Sequence, residues 1–329
     1  MSANILFKDQ LVALQPGETV LSGLERHGFA PPSSCRSGVC QSCMMRVEEG
    51  TLPSSAQASL KDAWKALGYF LPCVCVPAED LSIDTCDAVA THAARIAAVE
   101  TLAASVIRVL IDADDGFDFQ AGQFISLVRP EDGLTRPYSI ASTPRMGRLE
   151  LHVAVLPDGR MSQWLASASP GEALQIRGPS GECFYQADTM EQPIVLAGTG
   201  TGLAPLLGVL RAAIEAGHRG PIHLYHGSPA TSGLYLRAAL EELAAEHENL
   251  RFVGSVLDDD MSADDSIKAE IRKLPIDRAV FDDLPKLGGH RIYLCGNPEL
   301  VRSLKKKAYL AGASLQQIHS DPFITAGSA

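Results

Sequence analysis

Residues 31–43 have the sequence PPSSCRSGVCQSC, which places three cysteines within nine positions among small, turn-forming neighbours. Cys35, Cys40 and Cys43 have the spacing C-x4-C-x2-C, and Cys73 follows thirty positions after the last of them. Thiolate ligands of one iron–sulfur cluster must converge from a tight loop whose backbone N–H groups face the sulfurs. Serine and glycine between the cysteines permit such a loop. The stretch therefore favours an iron–sulfur site.

A zinc site and a disulfide framework are two other possible roles for these cysteines. A tetrahedral zinc site usually has two short C-x2-4-C pairs, whereas the second pair here is Cys73 and Cys75, with only one residue between them. The first ten residues show no basic segment followed by an apolar run, so we expect a cytoplasmic protein with reduced thiols. That expectation disfavours a disulfide framework for the eight cysteines.

The two cysteine segments together resemble the signature of plant-type [2Fe–2S] ferredoxins. The segments are CRSGVCQSC (35–43) and LPCVCVP (71–77). The resemblance implies a [2Fe–2S] cluster held by Cys35, Cys40, Cys43 and Cys73, with Cys73 rather than Cys75 at the fourth position. The family often has glycine after the second cysteine, where this chain has Gln41. That departure changes one amide near the sulfurs and removes no ligand.

Length, composition and charge narrow the possibilities further. The chain has 329 residues, which suggests two or three domains, and its 46% hydrophobic and 20% charged residues are typical of a globular protein. The net charge of −11 argues against nucleic acid as a partner. The longest apolar stretch, 194–210, is interrupted by glycine and threonine, so we expect no membrane span.

Three segments have different periodicities and predict three domains. Residues 1–90 suit a small β-dominated domain with one helix at 59–67. Residues 91–188 contain short strands at regular spacing, which is typical of an antiparallel barrel, with a linker at 89–97 running into its first strand and a helix at 161–168. Residues 189–329 alternate apolar strands with helices, including one at 266–274, and predict a doubly wound parallel sheet.

Two short motifs in the second segment suggest a flavin site. In RPYS (136–139), Arg136 can bind phosphate, Tyr138 can face an aromatic ring and Ser139 can offer a hydroxyl near the reactive N5. GRMS (159–162) opens a helix whose free amides, with Ser162, can bind a diphosphate, although Ser162 also suits a plain helix cap. Together the motifs resemble those of the ferredoxin–NADP reductase superfamily. The resemblance implies FAD contacts at Arg136, Tyr138, Ser139, Gly159 and Ser162.

The third segment has two further motifs. GTGTGLAP (198–205) follows an apolar strand, and its G-x-G-x-G spacing differs from the usual dinucleotide fingerprint. It resembles the nicotinamide loop of the same superfamily, and YLCGNPEL (293–300) resembles that family's late motif. The resemblance implies that the nicotinamide contacts Cys295 and Gly296 and that Phe323 covers the flavin. It also implies that the loop residues bind the dinucleotide: Gly198, Gly200, Thr201, Gly202 and Pro205. The two tryptophans are assigned to the core, and His226 to a surface or capping position.

The order of the three modules resembles the reductase component of multicomponent oxygenases. The resemblance implies electron flow from NADH through FAD and the [2Fe–2S] cluster to an oxygenase, with Ser139 and Cys295 at the transfer site and no general base. We expect a monomer that prefers NADH, because Arg237 lies too far along the next helix to bind a 2′-phosphate. Three alternatives stay open: a deoxysugar dehydratase as acceptor, a free flavin or ferric reductase, and a sensing module with vestigial flavin and nicotinamide sites.

Overall fold

The computed structural model forms three sheets that follow one another along the chain. The residues it describes are 3–29, 31–33, 35–39, 41–60, 62–85, 91–258 and 270–323. Below, the N-terminal unit is the described part of residues 3–85, the barrel is 91–188, and the nucleotide unit is the described part of 189–323. Each unit carries one sheet.

The N-terminal unit packs one helix and one short helical segment against a mixed five-stranded sheet. Its elements are β1 (Asn4–Phe7), β2 (Gln10–Ala13), α1 (Val20–Arg26), β3 (Met45–Glu49), α2 (Asp62–Ala66), β4 (Tyr69–Phe70) and β5 (Leu81–Thr85). The strand order is β2-β1-β5-β3-β4, with β1 and β5 parallel. The Thr19 hydroxyl caps α1 by accepting from the Ser22 amide, and Val20 and Leu24 on the same helix are fully buried. This arrangement is β-grasp-like.

The barrel is a six-stranded antiparallel sheet. Its elements are β6 (Thr91–Ala103), β7 (Val106–Ala113), β8 (Phe124–Val128), β9 (Thr135–Ser139), β10 (Leu149–Ala154), α3 (Arg160–Ser167) and β11 (Ala173–Ser180). The strand order is β10-β7-β6-β11-β8-β9. A bridge between Ile140, just after β9, and Leu151 of β10 brings the two edge strands together and closes the barrel.

The nucleotide unit is a fully parallel sheet with helices between its strands. Its elements are β12 (Ile194–Thr199), α4 (Leu203–Glu215), β13 (Ile222–Ala230), α5 (Arg237–Glu246), β14 (Leu250–Asp258), β15 (Glu270–Lys273), α6 (Ile276–Asp283), β16 (Arg291–Gly296), α7 (Pro298–Leu310) and β17 (Ile318–Pro322). The order β15-β14-β13-β12-β16-β17 reverses direction between β12 and β16. In doubly wound sheets, ligands bind at the carboxyl ends of the strands beside this reversal. The predicted fold class is confirmed for all three sheets.

Several local predictions were wrong. Residues 270–273 form an edge strand paired with β14 instead of a helix, because sheet pairing overrides a helical propensity. The predicted linker already belongs to β6 from Thr91 onward. The N-terminal unit has α1 in addition to the predicted helix, which is shortened to Asp62–Ala66. The sequence pattern missed α6 and β17 altogether.

The barrel and the nucleotide unit share one apolar core. Val106, Ala141 and Cys183 of the barrel are buried in the same cluster as Leu206 and Tyr293 of the nucleotide unit. Within the described residues, no helix is both long enough and apolar enough to cross a membrane.

Candidate active site

A cavity of about 590 Å³ lies where the three units meet. Its lining includes Cys35 and Val39 of the cysteine loop, the RPYS strand and the start of α3, and Thr201 and Phe323 of the nucleotide unit. The cavity therefore brings together residues from all three predicted motif regions.

The described cysteines of the loop converge on the side of the N-terminal unit that faces the barrel. Cys35, Cys43 and Cys73 are all buried. The pKa of the Cys73 thiol lies below its usual value, mainly because it hydrogen-bonds the Cys43 side chain and also because the Gly38 amide points at its sulfur. Cys40 lies outside the described residues. Among the described residues, no group of three His, Cys, Asp or Glu side chains has the arrangement of a single-ion metal site.

The cysteine loop fits a cluster in two further respects. Gly38 has φ +75° and places its amide toward the sulfurs, as the sequence predicted for a loop with inward-facing amides. Cys75 packs in the core of the N-terminal unit, where burial and then the charge of Cys73 raise its pKa to about 12. A thiol that resists ionisation is a poor metal ligand, which supports Cys73 as the fourth ligand.

The RPYS strand supplies three different groups to the cavity. The Arg136 guanidinium donates one 2.7 Å hydrogen bond to the Thr135 carbonyl and keeps further donors that can bind a phosphate. The Tyr138 ring packs on the barrel core, and burial raises its pKa, so its hydroxyl stays protonated. Both side chains suit a flavin dinucleotide, one through charge and the other through its aromatic face.

Ser139 has a partner that the sequence analysis missed. Its Oγ donates a 2.7 Å hydrogen bond to Oδ2 of Asp321, a residue of β17 that also lines the cavity. Burial raises the pKa of Asp321 to about 6, although the Ser139 hydrogen bond partly offsets this shift. Asp321 can therefore gain or lose a proton near neutral pH directly beside Ser139. The segment HSDPF pointed only to Phe323, because the pairing of β17 with β16 is invisible in the sequence.

The GRMS turn opens α3 as predicted, but its serine has a local role. The Ser162 Oγ donates to the Gly159 carbonyl at 3.0 Å and accepts from the Leu156 amide at 3.1 Å. A Cβ on Gly159 would lie 2.3 Å from that oxygen, so glycine is needed for the turn. The hydroxyl is thus occupied, and the backbone amides at the start of α3 are the groups that suit a diphosphate.

The glycines of the nicotinamide loop serve two different purposes. A Cβ on Gly198 or Gly202 would lie 2.8 or 2.6 Å from the carbonyl oxygen of Cys295, so these glycines let the loop pack against the end of β16. Gly296 has φ +111°, and its Cβ would meet the Thr199 carbonyl at 2.7 Å. Gly200, by contrast, faces open space at φ +53° and can approach a ligand. Thr201 lines the cavity, whereas Pro205 is buried inside α4.

Cys295 lies behind the cavity wall rather than on it. Its side chain is buried, and its Sγ is 3.4 Å from Sγ of Cys183, which comes from the barrel. Burial, followed by the contact with Cys183, raises the pKa of Cys295 well above its usual value, so the group is a neutral thiol. Cys295 is also the parallel-sheet partner of Asp321.

The role predicted for Phe323, covering the flavin, stays a prediction. Phe323 lines the cavity, and its amide donates a 2.7 Å hydrogen bond to the Gly296 carbonyl. The prediction for His226 was wrong. That imidazole is fully buried and donates from Nε2 to the Gly200 carbonyl at 3.1 Å. Burial lowers the pKa of His226 to about 4.

Comparison with known families gives each unit a match. Residues 6–78 match the 2Fe-2S iron-sulfur cluster binding domain, residues 94–185 the oxidoreductase FAD-binding domain, and residues 196–306 the oxidoreductase NAD-binding domain. The chain therefore has binding domains for a [2Fe–2S] cluster, FAD and a nicotinamide dinucleotide.

Similar proteins cover the whole chain. The naphthalene 1,2-dioxygenase system ferredoxin–NAD(P)+ reductase component of Pseudomonas putida is 31% identical over 97% of both chains. The aromatic O-demethylase reductase subunit of an Amycolatopsis species is 32% identical over 96% of both.

Solved structures give the same result. The crystal structure of the Amycolatopsis cytochrome P450 reductase GcoB matches with a TM-score of 0.68 and 29% identity over 98% of both chains. The ferredoxin reductase of carbazole 1,9a-dioxygenase matches with a TM-score of 0.66 and 25% identity over the same share. With three domains in the same order and full-length relatives above 30% identity, the chain belongs to the family of iron–sulfur flavoprotein reductase components of oxygenase systems.

Proposed function

We propose that this protein oxidises NADH and passes the electrons through FAD and the [2Fe–2S] cluster to a partner oxygenase. The observation that carries the proposal is one cavity lined by residues of all three units, among them Cys35 of the cysteine loop, Tyr138 of the barrel and Thr201 of the nicotinamide loop. A flavin held between them supplies the conversion of a two-electron hydride into single electrons.

The side chains of the cavity have separate tasks in this proposal. Arg136 and the α3 amides bind the diphosphate, and Tyr138 supports the flavin ring. Ser139 places its hydroxyl in the cavity and donates to Oδ2 of Asp321, and Asp321 holds or releases a proton beside it. Phe323 covers the ring on the side where the nicotinamide must stack.

The cluster supports one-electron transfer and can be tested separately from the flavin. We expect Cys43→Ser to abolish reduction of cytochrome c by NADH while NADH–ferricyanide activity persists. Cys75→Ala is the matched control, because Cys75 is buried in the core, and it should keep both activities. If Cys43→Ser leaves both activities intact, the protein is a free flavin or ferric reductase that does not use its cluster.

We also propose NADH rather than NADPH as the donor. Arg237 is the first residue of α5, so the prediction that it lies a turn or two into this helix was wrong. Its Nε lies 3.3 Å from Glu241, and both side chains are largely buried. This pairing holds the guanidinium away from a 2′-phosphate. Arg237→Ala should leave the kinetics with NADH nearly unchanged. A low wild-type KM for NADPH that rises at least tenfold in this variant would contradict the assignment.

The acceptor is proposed to be an oxygenase, as in the relatives named above. The test is reduction of a purified oxygenase of the kind named for these relatives, followed by product formation with NADH as the sole reductant. Reduction of a deoxysugar dehydratase instead would keep the electron path and change the partner. We further propose that the protein is monomeric, which sedimentation at working concentrations can check.

A further inference from the structure

Four polar side chains, three of them buried and the fourth, that of Arg211, a quarter exposed, form a hydrogen-bonded chain between the barrel and the nucleotide unit. Arg211 of α4 donates from Nη1 to Oε2 of Glu150 at 2.8 Å, and Oε1 of Glu150 lies 2.9 Å from Nε2 of His152. Nδ1 of His152 lies 3.1 Å from the hydroxyl of Tyr235, which precedes α5. We call these four residues the interface network. Two of them come from β10 of the barrel and two from the nucleotide unit.

The protonation states give every bond in this network a single direction. Burial alone would raise the pKa of Glu150, but the His152 hydrogen bond and the Arg211 charge together lower it to about 2. Burial lowers the pKa of His152, and burial raises that of Tyr235. A neutral His152 therefore donates from Nε2 to Glu150 and accepts at Nδ1 from Tyr235. The guanidinium and the imidazole donate to one carboxylate, and the phenol donates to the imidazole.

The interface network reaches both the cavity and the nicotinamide loop. His152 lines the cavity on the barrel side. The Tyr235 ring meets the His226 ring edge to face, with centroids 5.3 Å apart, and His226 hydrogen-bonds the Gly200 carbonyl. Leu236, directly after Tyr235, has φ +57°, a conformation that a leucine rarely adopts. The backbone is therefore strained at the residue that directly follows Tyr235.

The buried hydrogen bonds fix the position of the two units relative to each other, which apolar packing alone would not do. Apolar contacts between two units tolerate small sliding movements, whereas a buried hydrogen-bond chain has one low-energy register. Hydride transfer needs reacting atoms within a few ångström, and a small misplacement lowers the rate strongly. A fixed register between the cavity wall and the Gly200 loop would meet this requirement.

We propose that Arg211 and Tyr235 are positioning residues that, through Glu150 and His152, fix the nucleotide unit on the barrel so that the nicotinamide meets the flavin in a reactive geometry. The proposal rests on the hydride transfer proposed above. It assigns the two residues no contact with either cofactor.

The first test is Tyr235→Phe in the holoenzyme, which removes one hydroxyl and keeps the ring. Anaerobic rapid mixing with increasing NADH separates the limiting rate of flavin reduction from the NADH Kd. We expect the limiting rate to fall about tenfold or more with the Kd within threefold. The matched control is Tyr309→Phe on the exposed face of α7, which should keep the wild-type rate. A decrease of less than fivefold in Tyr235→Phe, or an equal decrease in the control, would overturn the proposal.

A second measurement does not depend on NADH oxidation. Hydrogen–deuterium exchange should become at least fivefold faster at the amides of 199–204 in Tyr235→Phe, while the N-terminal unit exchanges as in the wild type. Unchanged exchange at 199–204 would overturn the proposal even if the rate fell. If wild-type flavin is not reduced by NADH at all, the proposed function fails, and the exchange result still decides the positional role.

Arg211 provides a test by conservative rescue. Arg211→Ala leaves the buried Glu150 carboxylate without its cation, and we expect the limiting rate to fall about tenfold or more. Arg211→Lys restores the charge and should recover most of that rate at an unchanged NADH Kd. Equal rates in the two variants would show that a cation beside Glu150 has no influence on positioning, contrary to the proposal.

Discussion

The barrel contacts its two neighbours in different ways. Toward the N-terminal unit, the described contacts are a 2.9 Å hydrogen bond between the hydroxyls of Ser42 and Ser126 and the packing of Cys35 on Phe124. Toward the nucleotide unit, the barrel shares a continuous apolar core, and buried polar side chains such as Glu150 cross the boundary. The second contact is far more extensive than the first.

This difference follows the two kinds of transfer. A hydride moves only between atoms held in contact, so the units that carry the two reacting rings must be fixed to each other. A single electron crosses a gap without contact between the reacting atoms, so the N-terminal unit can be held loosely. A small, polar interface also permits relative movement of the units. Substitutions at the two contacts should therefore differ in size and in which step they affect.

The largest effect is expected from Gly208→Ala in α4. A Cβ at this position would lie 2.6 Å from the Gly122 amide nitrogen and 2.6 Å from the Ile140 carbonyl oxygen, both backbone atoms of the barrel. The helix must then move away from the barrel, at a cost of about 3 kcal/mol. Urea unfolding and flavin reduction by NADH measure the loss.

Gly288→Ala is the control for this substitution. The nearest atom to a Cβ at Gly288 is 3.7 Å away, so the variant should unfold like the wild type. A Gly208→Ala protein whose free energy of unfolding stays within about 0.5 kcal/mol of the wild type would contradict the close contact between the two units.

Asp321→Asn should change the pH dependence of stability at the same contact. Burial raises the pKa of Asp321 from 3.8 to about 6 in the folded protein, so the folded state prefers the protonated carboxyl. The folded state then binds more protons than the unfolded state between these values, and wild-type stability falls as the pH rises from about 4 to 6. The fall is at most about 3 kcal/mol, and less where cavity water reaches the carboxyl. The asparagine variant should lack this fall.

Urea unfolding of the flavin-free protein at pH 5 and pH 7.5 measures the upper half of this fall, at most about 1.4 kcal/mol. Asp188→Asn is an informative control, because hydrogen bonding from Gln317 and the charge of Arg291 lower the pKa of Asp188. The ionised Asp188 carboxylate stabilises the folded protein, so Asp188→Asn should reduce stability at neutral pH. The ionised Asp321 carboxylate destabilises it, so the two substitutions have effects of opposite sign. Identical pH profiles for the wild type and Asp321→Asn would show that Asp321 is ionised in the folded protein at all pH values tested.

Ser126→Ala tests the smaller contact. It removes the partner of the Ser42 hydroxyl, which should weaken the contact by about 1 kcal/mol. We expect reduction of cytochrome c by NADH to fall a few-fold, because the N-terminal unit spends more time away from the barrel, while NADH–ferricyanide activity is unchanged. A loss of ferricyanide activity would mean that this contact also shapes the flavin site, and the distinction between the two contacts would fail.

The sequence was most informative where the chemistry depends on residues close together in the chain. The cysteine spacing, RPYS and the G-x-G-x-G loop each lie within one turn or strand, so their residue types and spacing indicated the cofactors and the order of the units. The assignment of Gly200 and Thr201 to a ligand-facing loop has the same local basis. Gly200 faces open space and Thr201 lines the cavity, and their contact with the dinucleotide stays a prediction.

The sequence was uninformative where function depends on contacts between units. Ser139 and Asp321 are separated by 182 positions, and His152 and Tyr235 by 83. No period or motif connects such residues, because only the packing of β10 and β17 brings them together. Nothing in the sequence indicated that Gly198 and Gly202 pack against the end of β16, since spacing alone cannot distinguish a glycine that faces a ligand from one that faces a neighbouring strand.

The smallest effect is expected inside the cysteine loop, at the residue that precedes Ser42 of the smaller contact. Gln41 occupies the position where related ferredoxins often have glycine, and its φ of +57° lies in the left-handed region. Glycine adopts this conformation without a Cβ penalty, so Gln41→Gly should stabilise the N-terminal unit by about 1 kcal/mol. Loss of cluster absorbance on heating measures the gain, and both transfer steps should keep their wild-type rates.

Gln15→Gly, outside the positive-φ residues, should destabilise the unit instead. If Gln41→Gly loses its cluster at a lower temperature than the wild type, the glutamine side chain stabilises the loop by more than its strained backbone costs.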